Sequence, residues 1–302
     1  MVRALILGGT GTLGSLTAAR LRDAGHGVAV TGREVDITDH DALTDHARRH
    51  DVVVSLAPFP AGRVQLASAR AGVPSVDAAG RVRDDLLGQA EAMAARQGVA
   101  HVVGVGLFPG LSGLLAHEVA GVAPGRGLTL TLHQSSNARV GAAGVREMLQ
   151  TVEPGPGIRR GSEVLLRLDH PEAGALAAAG IEARYLTRWD SPGQTRAVGT
   201  LAALGLLPGV TRLPDVWLRG LSRHRPDAGE EATLTVRAVG TQAEATARVR
   251  SDYEATAAVL AAVATRAREL PPGVHRLWEV TELAGLAADI NDVVAIRRNA
   301  VS

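Results

Sequence analysis

Near the amino terminus, glycines and threonines occur at a spacing that suits phosphate binding. The stretch reads GGTGTLG; it follows the apolar run VRALIL and precedes the helical pattern SLTAARLRDAG. In such a strand–loop–helix turn, Gly9 permits the tight bend, Gly11 lets backbone approach a pyrophosphate, and Gly14 lets the helix pack on the strand. The helix amino terminus adds unpaired N–H groups and partial positive charge. We therefore expect a dinucleotide to bind here, the alternative being a glycine-rich turn without a ligand. The predicted contacts are Gly8, Gly9, Thr10, Gly11, Thr12, Leu13 and Gly14.

The end of the second apolar run, VAVTGR, indicates which dinucleotide binds. An NAD site usually has Asp or Glu at this point, accepting a hydrogen bond from the ribose 2′-hydroxyl. Here the chain has Gly32 and Arg33. A guanidinium suits a 2′-phosphate because it is always charged and can bond in a bidentate manner. The sequence therefore favours NADP, while Glu34, directly after Arg33, keeps NAD as the alternative.

Several side chains are candidates for proton transfer or for holding a substrate. Hydride transfer needs a proton source close to the reacting carbon, and His133, Tyr253 and Asp77 are the candidates. Arg139 and Arg146 could bind a substrate carboxylate. The chain contains neither Lys nor Cys, which excludes a Schiff-base lysine, a Tyr-x-x-x-Lys pair and a thiol nucleophile. We find no metal-binding motif and predict no metal.

Strands and helices alternate through the first hundred residues, and this alternation predicts how the candidates are positioned. Runs such as VVVSLA and HVVGVGL lack polar alternation, which is typical of a parallel sheet covered on both faces. In such sheets ligands bind at the carboxyl ends of the strands. The expected cofactor contacts at these ends are Leu56, Ala57, Pro58, Gly106, Leu107 and Phe108.

Four stretches in this order resemble the saccharopine dehydrogenase-like oxidoreductases: GGTGTLG, VVVSLAP, AGVPSVDAAG and GVGLFPGLSGLLA. The match is good over the first hundred and twenty residues or so and concerns only the layout beyond them. The resemblance implies an NAD(P)-dependent enzyme with Gly106, Leu107 and Phe108 beside the nicotinamide. It also implies hydride transfer between the cofactor and an imine or carbonyl of a small, amino-acid-derived substrate.

The pattern changes after Val122, and the segments that follow predict a second domain. LTLTLHQSS alternates apolar and polar residues, and ATLTVRAVGTQAEATARVRS is typical of a hairpin. The fold class is therefore α/β, a Rossmann-type doubly wound parallel sheet plus an α+β domain with an antiparallel sheet. The predicted domains are 1–122 for the dinucleotide and 123–275 for substrate and dimerisation. Residues 276–302 are expected to pack back on the first domain.

Composition and charge argue against a nucleic-acid-binding or membrane-spanning protein. The formal net charge is +1 and aromatic residues make up 2% of the chain, so no basic, aromatic-rich surface indicates nucleic-acid binding. No apolar run reaches the roughly 20 residues of a membrane span. We expect a cytoplasmic homodimer that acts on a small molecule. Two alternatives stay open: a non-catalytic NADP-binding redox sensor, and an enzyme that uses a tightly bound cofactor transiently without net redox.

Overall fold

The computed structural model describes residues 1–32, 34–221 and 229–299. The chain divides into two compact units. The first comprises Met1–Leu114 and Tyr253–Asn291; the second comprises Leu115–Asp252 and the chain from Asp292 onward.

The strands and helices are numbered along the chain. The strands are β1 (Arg3–Leu7), β2 (Gly27–Thr31), β3 (Val52–Ser55), β4 (Ser75–Asp77), β5 (Ala100–Val103), β6 (Leu128–Gln134), β7 (Ile158–Arg160), β8 (Glu163–Leu168), β9 (Ala183–Trp189), β10 (Ala232–Ala238), β11 (Glu244–Val249), β12 (Gly273–Arg276) and β13 (Val294–Asn299). The helices are α1 (Thr12–Asp23), α2 (His40–Ala47), α3 (Arg63–Ala71), α4 (Asp84–Gln97), α5 (Ser112–Val122), α6 (Ala142–Thr151), α7 (Glu172–Ala178), α8 (Pro192–Ala203), α9 (Leu207–Thr211), α10 (Asp215–Leu221), α11 (Asp252–Arg266), α12 (Leu277–Val280) and α13 (Leu283–Asp289).

The first unit contains a six-stranded sheet in the order β12-β5-β4-β3-β1-β2, and every pair in it is parallel. Strands β3, β4 and β5 are buried along their whole length, as their continuous apolar sequences predict. The edge strand β2 is half-exposed to exposed. The predicted Rossmann-type doubly wound sheet is thereby confirmed.

The second unit contains a seven-stranded sheet in the order β13-β11-β10-β6-β9-β8-β7. Its pairs are antiparallel except for β6 and β9, which run parallel. The predicted antiparallel sheet is therefore mixed. The physical reason is the long connection from β6 to β9: it contains α6, β7, β8 and α7, and a crossover of this length permits parallel pairing.

Alternation along β6 separates two faces of this second sheet. Leu128, Leu130 and Leu132 are buried, whereas Thr129, Thr131 and His133 are half-exposed. We call the side with the half-exposed residues the outer face. Its polar residues continue on β10 and β11, because Thr235 of β10 pairs in register with Thr131 and Thr246.

The boundaries of the two units differ from the predicted ranges. The predicted second domain, 123–275, includes α11 and the first three residues of β12, yet both elements belong to the first unit except for Asp252. The reason is that β12 pairs with β5 as a sixth parallel strand. The predicted terminal segment, 276–302, is divided between the units, because α12 and α13 belong to the first while β13 pairs with β11 in the second.

Candidate functional site

Most of the predicted cofactor contacts follow the carboxyl ends of the parallel strands in the first unit. β1 lies between β2 and β3. The connection through α1 joins β1 to β2, and the connection through α3 joins β3 to β4. Because β2 and β4 lie on opposite sides of the β1–β3 pair, the two connections diverge at this point. A crevice at such a switch point, outside the carboxyl ends of the strands, is where open α/β sheets bind ligands.

The glycine-rich loop is packed so closely that side chains would not fit. A Cβ on Gly14 would lie 2.4 Å from the Gly8 carbonyl oxygen and 2.5 Å from the Gly9 Cα. A Cβ on Gly9 would lie 2.7 Å from the Val30 Cβ. Gly11 differs, since only the Gly8 oxygen, at 3.3 Å, is close to a Cβ placed there. Two glycines are thus needed for packing, and the third leaves open space beside the backbone.

The amino terminus of α1 carries no side-chain cap. Gly11 precedes the helix in an extended conformation with no capping hydrogen bond. By contrast, the Asp39 carboxylate at the start of α2 accepts from the backbone N–H groups of Asp41 and Ala42. The first-turn N–H groups of α1 therefore have no side-chain acceptor from the residue before the helix, which suits an anion-binding helix terminus.

Leu56 follows β3 and lies beside the glycine-rich loop. Its backbone N–H donates to the Leu7 carbonyl over 2.9 Å. Its own carbonyl oxygen lies 3.0 Å from a Cβ built on Gly8, whose φ is +78°. Gly8 therefore needs glycine both for its backbone conformation and for its contact with Leu56. Of the predicted contacts after β3, Leu56 and Ala57 therefore lie beside the glycine loop, and Pro58 follows them in the chain.

The end of β2 places a carboxylate beside the loop. The Glu34 Oε1 accepts from the Gly32 N–H over 2.5 Å. This hydrogen bond, more than any other contact, lowers the pKa of Glu34 below its usual value. A Cβ on Gly32 would lie 2.8 Å from the Thr10 hydroxyl and 3.0 Å from the Glu34 carboxylate. Arg33, the predicted 2′-phosphate ligand, lies outside the described residues.

Asp77, predicted as a proton donor, is held in a buried hydrogen-bond network at the end of β4. Its Oδ2 accepts from the Gln65 amide over 2.8 Å and its Oδ1 accepts from the Ala79 N–H over 2.8 Å. The Gln65 carbonyl accepts in turn from the Gly62 N–H over 2.6 Å. This arrangement fixes the loops after β3 and β4. It gives Asp77 a positioning role, and its proposed part in catalysis stays a prediction.

After β5, the chain makes an irregular turn over Leu107–Leu111, at the predicted nicotinamide position. The Phe108–Pro109 peptide bond is cis. Gly110 has a φ of +116°, and a Cβ there would lie 2.8 Å from the Gly104 carbonyl oxygen. Both its backbone conformation and its packing therefore need glycine at this position.

The start of α11 supports this turn, a contact that sequence reasoning missed. The Leu107 N–H donates to the Thr256 hydroxyl over 3.1 Å. A Cβ on Gly106 would lie 2.9 Å from the Thr256 methyl carbon. Tyr253 precedes Thr256 by three residues, so both lie on the same face of α11. Of the three proton-donor candidates, Tyr253 therefore shares a helix face with a residue that contacts the predicted nicotinamide position. This spacing was visible in the sequence, but the partner Leu107, 149 residues away, was not.

The remaining candidates belong to the second unit. His133 lies on the outer face of the sheet, and we describe its surroundings below. Arg146 is bound within the chain, because it donates to the Thr211 and Leu213 carbonyls and pairs with Asp215 over 2.8 Å. These bonds join α6 to α10 and give Arg146 a structural role. Arg139 is exposed, and its backbone N–H donates to Glu230 over 3.4 Å.

Two further features of the described residues concern possible ligands and membranes. No group of three or more His, Asp or Glu side chains within them is arranged to hold a metal ion. None of the helices in this part of the chain is long and apolar enough to cross a bilayer.

Comparison with known proteins reveals similarity in structure. The sequence matches no family model and no curated protein significantly. Saccharopine dehydrogenase (L-Glu forming) from Saccharomyces cerevisiae matches with a TM-score of 0.61 and 13% identity, over 99% of this chain and 100% of that one. An engineered D-amino acid dehydrogenase bound to NADP+ gives 0.54 and 14%, over 94% and 95%. DAP dehydrogenase from C. glutamicum, in complex with DAP, gives 0.50 and 14%, also over 94% and 95%. The resemblance seen in the sequence motifs is confirmed at the level of fold: the chain has the Rossmann-type two-domain fold of saccharopine dehydrogenase and these amino-acid dehydrogenases.

Proposed function

We propose that this chain is an NADP-dependent oxidoreductase that transfers hydride between the nicotinamide and a C=N or C=O carbon of a small amino-acid-derived substrate. The observation that carries the proposal is the glycine cradle. Gly9 and Gly14 pack against backbone or β-carbon atoms at distances that exclude a side chain, and Gly8 has a φ of +78°, which favours glycine. Gly11 leaves open space before a helix without a side-chain cap. Structural neighbours with this fold are amino-acid dehydrogenases, which supports the same class of reaction.

The residues at the sheet edge fit a dinucleotide. The pyrophosphate would lie against Gly11 and the first turn of α1, where N–H donors are available. The adenosine ribose would lie at the end of β2, near Gly32. The nicotinamide would lie towards β5, near Gly106 and the turn at Leu107. When bound, the nicotinamide supplies or accepts the hydride; the chain orients it and excludes water.

Two oppositely charged residues after β2 would decide between NADP and NAD. Arg33 attracts a 2′-phosphate, and Glu34 repels one and can accept a hydrogen bond from a 2′-hydroxyl. We expect NADPH to bind more tightly than NADH. Arg33→Ala should weaken NADPH by about tenfold or more, since a charge-assisted hydrogen bond contributes about 1.5–3 kcal/mol. Glu34→Gln should strengthen NADPH binding and weaken NADH binding. A preference for NADH that Glu34→Gln reverses would assign the site to NAD.

We propose Tyr253 as the proton donor. It lies one helical turn before Thr256, whose hydroxyl accepts from the Leu107 backbone at the predicted nicotinamide position. A phenol there can donate a proton to the nitrogen or oxygen that receives charge as hydride arrives. Asp77 would hold the adjoining loop. In the second unit, Arg139 is the proposed ligand for a substrate carboxylate, because Arg146 is bound within the chain.

Turnover with a substrate panel tests the reaction. Purified protein with NADPH would be supplied with 2-oxo acids and primary amines, singly and in pairs, and oxidation would be followed at 340 nm. We expect oxidation only where an imine or carbonyl acceptor is present. Tyr253→Phe should lower kcat by about a hundredfold, within the range of general acid catalysis, while NADPH affinity stays unchanged. Tight NADPH binding without turnover of any acceptor would favour the sensor function.

We also propose that the protein is a homodimer. Sedimentation equilibrium would test it, since the chain has a mass of 31.2 kDa and a dimer has twice that value. A mass equal to one chain at micromolar concentration would refute the dimer.

A further inference from the structure

The outer face of the second sheet contains a cavity that the proposed reaction does not use. It has a volume of about 590 Å³, within the usual range for small-molecule sites. It is lined by residues of β6, β8, β9, β10 and β11 and of the turn between β10 and β11, and all of them belong to the second unit. The polar lining consists of three arginines, one histidine, one glutamate and four threonines. They are Thr129, Thr131, His133, Glu163, Arg188, Thr233, Thr235, Arg237 and Arg248.

The charges in this lining are unbalanced. Arg188 pairs with Glu163 over 2.5 Å, and Arg237 pairs with Glu244. Arg248 is exposed and makes no ion pair with any of the described residues. The cavity therefore holds an excess of positive charge, and one guanidinium has all its donors available to a ligand.

His133 adds a donor without an acceptor. The Arg188 Nη2 lies 3.5 Å from the His133 Nδ1. A guanidinium can only donate, so Nδ1 accepts and the neutral ring carries its proton on Nε2. Burial first, and then the charge of Arg188, lower the pKa of His133, which keeps the ring neutral at pH 7. The Nε2 atom is buried and has no hydrogen-bond partner among the described residues.

Because the Nε2 atom is buried, the ring has to turn toward the cavity before a ligand oxygen can satisfy this donor. A buried N–H without an acceptor costs about 1–3 kcal/mol. The threonines need no ligand to explain them, since threonine favours strands and suits a half-exposed sheet face. Such a face does not explain why the same cavity is lined by a buried imidazole N–H without an acceptor and by an unpaired guanidinium. Both groups donate hydrogen bonds, and so can the threonine hydroxyls around them.

We propose that this cavity binds a small organic anion with several oxygens, a polycarboxylate or a phosphate ester, through Arg248, the His133 Nε2–H and the threonine hydroxyls. Carboxylate and phosphate share the chemistry that these donors recognise. The volume accommodates a molecule larger than a single phosphate ion. The site is built entirely within the second unit and therefore does not depend on the nucleotide site.

Isothermal titration with citrate and with inorganic phosphate, each at constant ionic strength, tests the proposal. We expect citrate to bind at one site per chain, and phosphate to compete with it. Arg248→Gln removes the unpaired charge at an exposed position, so folding should be unaffected. His133→Phe keeps the ring volume and removes the donor. Each variant should weaken citrate by about tenfold, the loss of one charged or buried hydrogen bond.

Arg297 supplies the matched control. It is an exposed arginine on β13 that pairs in register with Thr246, and it does not line the cavity. Arg297→Gln removes the same charge from the sheet and should change citrate binding less than about twofold. If neither citrate nor phosphate binds at about 10 mM, the proposal is overturned, because a specific site of this volume should bind more tightly than that. Equal weakening in Arg297→Gln would also overturn it, because binding would then reflect general charge. If a variant changes the mass of the assembled protein but not its anion binding, this face is an interface between copies of the chain. The anion-binding proposal is then overturned.

Discussion

Gly14 gives the sharpest prediction about the nucleotide site. It is the third residue of α1, and a Cβ there would lie 2.4 Å from the Gly8 oxygen and 2.5 Å from the Gly9 Cα. Both neighbours are backbone atoms, so Gly14→Ala must move the helix away from the loop by about 1 Å to reach ordinary contact. Overpacking of this kind typically costs about 1–3 kcal/mol. The gain in helix propensity, up to about 1 kcal/mol, offsets only part of it.

Gly88 is the matched control in the same unit. It lies inside α4, and a Cβ there would have no neighbour within 4 Å. Gly88→Ala should therefore raise the free energy of unfolding by up to about 1 kcal/mol, because alanine favours a helix and nothing has to move. Both variants make the same chemical change in a helix. They differ only in what surrounds the added methyl group.

Urea unfolding and NADPH fluorescence titration would be measured on both variants. We expect Gly14→Ala to be less stable than wild type and to bind NADPH at least about tenfold more weakly, equivalent to 1.4 kcal/mol. Gly88→Ala should bind NADPH as wild type does. If Gly14→Ala is as stable as Gly88→Ala and binds NADPH equally well, close packing of the glycine loop does not shape the nucleotide site.

Three further predictions concern side chains whose hydrogen bonds or burial stabilise the first unit. Thr256→Val removes the acceptor of the Leu107 N–H and should lower the unfolding free energy by about 1–3 kcal/mol in urea titrations, whereas Thr256→Ser should keep most of it. Gln65→Met leaves the buried Asp77 carboxylate with one donor fewer; we expect a loss of about 2 kcal/mol by the same assay, and an unchanged value would mean that the network is not structural. Burial first, and then the charge of a neighbouring histidine, lower the pKa of His101 from 6.5 to about 3. On acidification the unfolded chain therefore binds a proton at His101 before the folded chain does. The free energy of unfolding should fall by about 1.4 kcal/mol per pH unit between pH 6.5 and pH 3 through this residue. Urea unfolding at pH 7 and pH 5 should show this loss in wild type, and a smaller one in His101→Gln.

Much of the first unit could be predicted because its signals are local. The order of apolar run, glycine turn and amphipathic helix defines β1, α1 and β2 within about thirty residues of sequence. β12 could not be predicted in the same way. Its four residues, GVHR, are too short for a pattern, and they form a strand because the edge of β5 is available for pairing. The short β7 lies in the segment EPGPGIRRG, whose Gly and Pro content is typical of a loop, and it is held by pairing with β8.

The candidate site shows the same limit. The glycines could be predicted because their conformational role is encoded in their spacing. The hydrogen bonds of Asp77 and Arg146 could not, since their partners are set by tertiary packing. Both residues looked like free functional groups in the sequence, and the structure gives each of them partners within the chain. Thr256 could not be predicted as part of the site, because nothing in the sequence distinguishes it from other helical threonines. Its hydrogen bond with Leu107 is visible only in the structure.

In the proposed function, the carboxyl ends of the parallel strands in the six-stranded sheet bind a nicotinamide dinucleotide. Isothermal titration of the wild-type protein with NADPH, and separately with NADH, tests this claim. We predict one NADPH per chain, with an affinity at least about tenfold above that for NADH. The absence of binding by either nucleotide at about 1 mM, where a specific site of this kind would be occupied, would contradict the claim.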